Sequence, residues 1–350
     1  MSLKIALLGP ATLVGEKLLE LLEQSPLEVA ALTLFEPEEQ AGRSLMFRGH
    51  AHRTRPLDGF EASSQQLTFV CEAELDARLT RSLQEAPGWV VDLYPQRYRP
   101  DQVFLALPEL NADELVSLDP DRIIGIPGSA TITAALALAP LQRVCQLLKV
   151  NLVLLSPASS AGRPGVEALA SEAARLLNGR DPEAGHFGQQ IAFNLIPQVG
   201  TQGTDGYTDI EAAVRSQLPR LLGDDGLELE VSAVQVPVFY GDMVVIQAET
   251  RQPLNLDEAQ QLMDRAPGVR FDRHASPVPS LVKDVIGQPQ VVVARLRRDG
   301  TGEAGFALHA MGDDLGRGSA LTALEVATRL VAQGQETVAG GQLDRRCDDA

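Results

Sequence analysis

Two stretches of this sequence carry residue types at spacings that could do chemistry. Gly9-Pro10-Ala11-Thr12-Leu13-Val14-Gly15 follows an apolar run, Lys4–Leu8, and opens an amphipathic segment, Leu13–Glu23. A strand, a glycine-bounded turn and a helix make a dinucleotide-binding turn: the glycines let the backbone approach a pyrophosphate, whose charge the helix N-terminus receives. On that reading Gly9, Ala11, Thr12, Leu13 and Val14 would line the phosphates. Thr12, however, fills the middle position of the glycine spacing, where a side chain would crowd them, and threonine is also a common helix N-cap. The turn by itself leaves a nucleotide site and a plain strand-to-helix turn both open. The second stretch is Ile126-Pro127-Gly128-Ser129, after which an Ala/Leu-rich helix starts. A hydroxyl there either caps the helix or, beside a strong base, serves as a nucleophile.

Bases and thiols are scarce around these stretches. His50, His52, His186, His274 and His309 lie elsewhere in the sequence and read as surface or packing histidines. Cys71, Cys145 and Cys347 are odd in number and far apart, which excludes a disulfide framework and a CxxC metal site, so no metal is expected.

The elements that must position these residues change character along the chain. Leu13–Glu23 reads as a helix because Leu18, Leu19, Leu21 and Leu22 are set among Glu16, Lys17, Glu20 and Glu23. Glu28–Leu34, Leu67–Cys71, Trp89–Leu93, Val103–Leu107 and Ile123–Ile126 read as short buried strands, with a helix at Asp76–Glu85 between two of them. Such alternation predicts a doubly wound parallel sheet, a Rossmann-like arrangement. Beyond it, Val150–Leu155, Leu227–Val238, Met243–Glu249, Val291–Arg297 and Gly305–Met311 are longer, several alternating apolar and polar as strands of a mixed sheet with one buried face do. Helices are expected at Gly165–Leu177, Thr208–Leu222, Leu256–Ala266 and Ser319–Gln333, and a loose tail at 337–350.

At 350 residues the chain is long for one domain and comfortable for two. Its net charge of −17 repels phosphate backbones and anionic lipid, arguing against nucleic acid or membrane surfaces as partners. No apolar run nears the length of a membrane span. Met1–Ile5 enters a strand at once, which reads as leaving no room for a signal peptide, and a cytoplasmic protein is expected.

From about residue 4 to 330 the chain resembles the aspartate-semialdehyde dehydrogenase family. Lys4–Gly15 resembles its nucleotide loop, Pro108-Glu109-Leu110-Asn111 its Pro-Glu-x-Asn turn, and Ala192–Pro197 its Phe-Asn-x-Ile-Pro segment. Gln235-Val236-Pro237-Val238 with Gly241 matches its Arg-Val-Pro-Val…Gly-His strand, and Asp313–Ala320 its Asp-Asn-Leu-x-x-Gly-Ala-Ala helix start. The resemblance implies a dinucleotide-binding-like domain, 1–128 plus 313–336, and a catalytic-like, dimerising α+β domain, 129–312. It also implies a homodimer, an NAD or NADP cofactor, and interconversion of an acyl phosphate and an aldehyde through a thioester.

The positions that should carry that reaction are all substituted. Ser129 stands for the nucleophilic cysteine, Asp242 for the histidine base, Ser156 for the glutamine that steadies the acyl group, and Gln235 for the substrate arginine. In the Glu-Glu-x-Lys segment the chain reads Ile210-Glu211-Ala212-Ala213, without the phosphate lysine; Arg99 lies one place beyond the other phosphate-binding position, now Tyr98. An aspartate of ordinary pKa is a poor proton partner for an alcohol. After the second strand, Glu36, Glu38 and Glu39 replace the arginine that would meet a 2′-phosphate; they could accept from a ribose diol, or form a solvated acidic loop. The chain thus resembles the Usg-type branch of the family. The leading expectation is a homologue without aspartate-semialdehyde dehydrogenase activity. The alternatives are an enzyme of altered chemistry, either NAD-linked or handling an acyl group on Ser129, and a regulatory or scaffold partner of an active homologue. A small carboxylate or a nucleotide is the expected kind of ligand.

Overall fold

The computed structural model describes residues 2–118, 122–183, 185–273, 277–300 and 304–333. The chain divides into two units: one runs to Ile126 and resumes at Ala320, the other is Pro127–Ser319.

The first unit begins with β1 (Leu3–Leu8), buried at five of its six positions as a strand covered on both faces must be. α1 (Leu13–Gln24) turns Gly15, Leu18, Leu19 and Leu22 inward. β2 (Val29–Glu36), a hairpin of β3 (Ser44–Phe47) and β4 (His50–Arg53), and β5 (Arg55–Pro56) follow. Then come β6 (Leu67–Val70), α2 (Ala77–Gln84), β7 (Trp89–Asp92), β8 (Val103–Leu105), α3 (Pro108–Leu115) and β9 (Ile123–Gly125). The seven-stranded sheet has the order β5-β2-β1-β6-β7-β9-β8, with every pair parallel. β1 lies between β2 and β6, so the winding reverses there and a crevice opens at its C-terminal end, the place where such sheets bind ligands. The β3–β4 hairpin was not legible in the sequence, because His50-Ala51-His52-Arg53 offers no apolar alternation. Pro108–Asn111, read as a turn, is the start of the helix Pro108–Leu115, which is broken at Asn111 (φ −138°), whose side-chain amide bridges Leu107 N–H and Leu105 O.

The second unit opens with α4 (Ser129–Cys145), apolar on most of its circumference and buried from Thr131 through Ala139. After it come β10 (Leu147–Ser156), α5 (Gly162–Leu177), α6 (Asp209–Leu222), β11 (Glu228–Gln235), β12 (Asp242–Thr250), α7 (Leu256–Arg265), β13 (Val269–Asp272), β14 (Val291–Arg298) and β15 (Gly305–Gly312). The sheet is mixed, in the order β11-β10-β12-β15-β14-β13. α4 packs on one face of it, against β10, β12, β14 and β15. On β10, Val150, Leu152, Leu154 and Ser156 are buried while Lys149, Asn151, Val153 and Leu155 alternate with them on the other side. Leu155 lies opposite Met243, and Val153 opposite Val245. That second face is therefore apolar at one end, and Val153 is 38% exposed. β13 was not read from sequence: Val269-Arg270-Phe271-Asp272 has two apolar residues alternating with charged ones and only Val269 is buried. Residues 321–333 are helical, preceded by a wide turn at Gly316–Ala320. The expected tail at 337–350, His274 and Cys347 lie outside the described residues.

Candidate active site and nucleotide turn

In the second unit the chemistry-bearing residues gather where α4 begins, beside the ends of β12 and β15. Gly128 is the N-cap of α4, with no side-chain cap bond; its N–H donates to Gln217 Oε1 on α6 at 3.2 Å. Ser129 is therefore the first helical residue and does not cap the helix. One turn on, Thr133 lies on the same face. Both pack against glycines: a Cβ on Gly318 would overlap Ser129 Oγ, and one on Gly312 would overlap Thr133 Oγ1. Asp242 pairs with Gly312 across the β12–β15 ladder. Ser129 Oγ, Thr133 Oγ1 and Asp242 Oδ2 are all buried without a hydrogen-bond partner.

Burial pushes the Asp242 carboxyl up to about 7; the charge of Asp314 adds to this, the Ser129 hydroxyl opposes it, and Asp313 raises it further. The expectation that Asp242 keeps an ordinary carboxylate pKa is overturned by this desolvation. Asp314, also raised chiefly by burial, has both oxygens engaged, accepting from Ser159 Oγ and Gly241 N–H at 2.6 Å each. Asp313 accepts from Gly287 N–H at 2.8 Å and Gly316 N–H at 3.1 Å. The two aspartates thus tie four segments around Asp242, and Arg317 is buried in the same turn, 2% exposed. In sequence these residues carry only a motif, and nothing in it shows that Ser159 and Gly241 meet Asp314.

Gln235, at the arginine position, is 2% exposed, and its Nε2 donates to Ser156 O at 2.8 Å and Pro157 O at 2.7 Å. It is spent on the fold. Ser156 is buried and contributes its carbonyl, not an amide, to that arrangement. Glu211 completes a capping box with Thr208 at the start of α6 and accepts from Ala233 N–H. Arg99 is exposed, paired with Asp101 at 3.3 Å.

In the first unit, Thr12 is the N-cap of α1: Oγ1 accepts from Gly15 N–H at 3.0 Å and donates to Gly9 O at 2.8 Å. The side chain turns back into the helix end instead of out over the turn. Gly9 takes φ +79°, and a Cβ on Gly15 would run into Gly9 O, so both glycines are required by the backbone. The N–H groups of Leu13 and Val14 open the helix and have no partner within it. Glu36, at the end of β2, does not belong to a solvated loop: it is 1% exposed and accepts from Ala11 N–H at 2.6 Å. Burial raises its pKa, the Ala11 bond lowers it, and Glu72, Arg43 and Glu16 contribute smaller effects. Glu38 and Glu39 are exposed.

The remaining candidates stand apart. His52 packs edge-on against Phe47, and His186 against Phe187. His309 is partly buried, its pKa lowered by desolvation and by Arg295 and Arg297. The Cys71 thiol is pushed up by burial and by Asp92, Glu72 and Glu36, and Cys145 is buried. Among the described residues no three His, Cys, Asp or Glu side chains gather as a metal site would need.

A family model described as the semialdehyde dehydrogenase dimerisation domain matches residues 138–317. Aspartate-semialdehyde dehydrogenase 2 of Vibrio cholerae serotype O1 is 30% identical over 329 residues, 93% of this chain and 97% of that one. This chain belongs to the semialdehyde dehydrogenase family. The USG-1 protein homolog of Azotobacter vinelandii is likewise 30% identical, over 95% of this chain and 99% of its own. The crystal structure of Vibrio cholerae aspartate semialdehyde dehydrogenase II, complexed with ASA, superposes with a TM-score of 0.89 at 29% identity, over 95% of this chain and 99% of that one. The semialdehyde dehydrogenase fold is thus present over nearly the whole chain. No helix among the described residues is long and apolar enough to cross a membrane.

Proposed function

We propose that this chain is a semialdehyde dehydrogenase homologue that does not oxidise aspartate semialdehyde. The observation that carries the reading is Ser129, a hydroxyl buried against Gly318 that has a carboxyl, Asp242, beside it and no imidazole. The family reaction needs a nucleophile that is ionised or has a base within hydrogen-bond reach. Gln235 gives its amide to the chain's own carbonyls and brings no charge for a substrate carboxylate. Ala213 stands where the phosphate lysine would be. Purified protein supplied with aspartate semialdehyde, phosphate and NADP should produce no NADPH above the blank. Turnover that disappears in Ser129→Ala would overturn the proposal.

A second reading draws on Asp242. A carboxyl held near neutrality by burial is a better proton acceptor than the sequence suggested. Ser129 would attack an activated acyl group; its Oγ–carbon bond would form as the leaving group departs, and Asp242 would take the hydroxyl proton. Incubation with an acyl phosphate and peptide mass spectrometry would find the acyl group on Ser129 if this reading holds, and an unmodified peptide if it does not.

For assembly we propose a cytoplasmic homodimer formed through the second unit, with the first unit dinucleotide-binding-like. The match to a dimerisation domain supports it, as does the partly apolar second face of the mixed sheet, with Val153, Leu155, Met243 and Val245. A nicotinamide dinucleotide, which the family resemblance implies, would supply a hydride acceptor. The turn at Gly9–Gly15 and the N–H groups of Leu13 and Val14 fit its pyrophosphate. The fixed carboxylate of Glu36 does not fit a 2′-phosphate.

A further inference from the structure

We infer that Glu36 makes the first unit a site for a dinucleotide or nucleotide whose ribose 2′-hydroxyl is free, NAD or ADP-ribose in type, and excludes NADP. Three observations converge. First, the β1 switch point places the crevice of the sheet at Gly9–Thr12, with the end of β2 on one side and the end of β6 on the other: Gly9 N–H donates to Phe35 O, and Cys71 N–H to Leu8 O. Second, Glu36 is the last residue of β2, 21 positions after Gly15, and acidic residues near that spacing accept from ribose hydroxyls. Third, Glu36 is already held. Ala11 N–H fixes one carboxylate oxygen at 2.6 Å within the phosphate turn itself, and the side chain is nearly sealed from water. A carboxylate pinned in place pays little further ordering entropy to accept from a hydroxyl, and it cannot swing away from a phosphate.

The surrounding charge acts in the same direction. Glu72 and Glu16 both push the Glu36 pKa up, as nearby negative charge does, and Arg43 pulls it down by less than Glu72 pushes. Arg43 is exposed and is the cation whose charge acts on Glu36. Thr12 spends its hydroxyl on Gly15 N–H and Gly9 O within the turn. The inference concerns binding alone and holds or fails whether or not any turnover survives.

Calorimetry on the full chain tests it. NAD should bind at least about tenfold more tightly than NADP, and ADP-ribose about tenfold more tightly than its 2′-deoxy counterpart, because the deoxy ligand leaves a buried acceptor unmet. Glu36→Gln keeps an acceptor for Ala11 N–H and removes the charge, and should bring the NAD and NADP affinities within about threefold of each other. The exposed neighbour variant Glu38→Gln should leave the ratio near that of the parent. NADP binding as tightly as NAD to the parent, or indifference to the 2′-hydroxyl, overturns the inference. So does the absence of any dinucleotide heat at millimolar concentration. The ADP-ribose comparison uses unaltered protein, so it decides the matter even where Glu36→Gln fails to fold.

Discussion

At the scale of single residues, neighbouring motifs show which positions resemble the family's catalytic ones, and their surroundings are not legible. Ser129 and Asp242 could be assigned from neighbouring motifs; that Asp242 is sealed beside Asp314, with its pKa raised, depends on segments more than 70 residues apart meeting. A folded carboxyl titrating near 7 against about 3.9 unfolded holds a proton that the unfolded chain releases between those values. Its contribution to stability is thus complete below about pH 4 and is lost as pH rises through 7. Asp242→Asn should equal the parent near pH 4 and exceed it by on the order of 4 kcal/mol at pH 8, since the shift spans about three pKa units of about 1.4 kcal/mol each. Urea melts of both proteins at pH 4, 6 and 8 check this; parallel pH profiles would contradict it. Ser129→Cys should restore no dehydrogenase activity, because Gln235 and Asp242 still fail the substrate. A variant producing NADPH at family-like rates would show that the nucleophile was the sole defect.

Elements fared better. Six strands of the parallel sheet announced themselves as short apolar runs, the exposed two-residue β5 did not, and β10, β11 and β12 did because one face is covered and the pattern alternates. β4, His50-Ala51-His52-Arg53, carries neither signature, and β13 shows alternation in only two apolar residues, Val269 and Phe271. Close approach between elements was also hidden, since a glycine in sequence does not say what it approaches. Gly318 shows the consequence: with a Cβ it would collide with Ser129 Oγ. Gly318→Ala should destabilise by roughly 1–3 kcal/mol, the usual cost of overpacking. In a Ser129→Gly background that cost should fall by at least about 1 kcal/mol, a coupling expected of residues in contact. Equal costs in both backgrounds would disprove the contact. Gln235→Ala should cost about 2 kcal/mol by removing two buried hydrogen bonds, although the Ser156 carbonyl keeps Val236 N–H and the Pro157 carbonyl keeps Ser160 as donors; the loss is read as a lower denaturation midpoint.

For the whole molecule, the two-unit organisation follows from a change of sheet type along the chain, and the resemblance of scattered motifs extends to nearly full-length similarity. Replacing a catalytic thiol would not remove the need to cover an apolar sheet face, so assembly should not depend on the family's chemistry. Light scattering at micromolar concentration should give twice the 37.6 kDa mass of one chain; a monomer mass would count against the dimer. The central claim is the absence of aspartate-semialdehyde oxidation, and the most direct measurement is NADPH formation by purified protein given the semialdehyde, phosphate and NADP. The expected result is a rate indistinguishable from the protein-free blank, for the parent and for Ser129→Ala alike. A robust rate in the parent that vanishes in Ser129→Ala would mean that this serine does the work of the family's cysteine, and the account would be wrong.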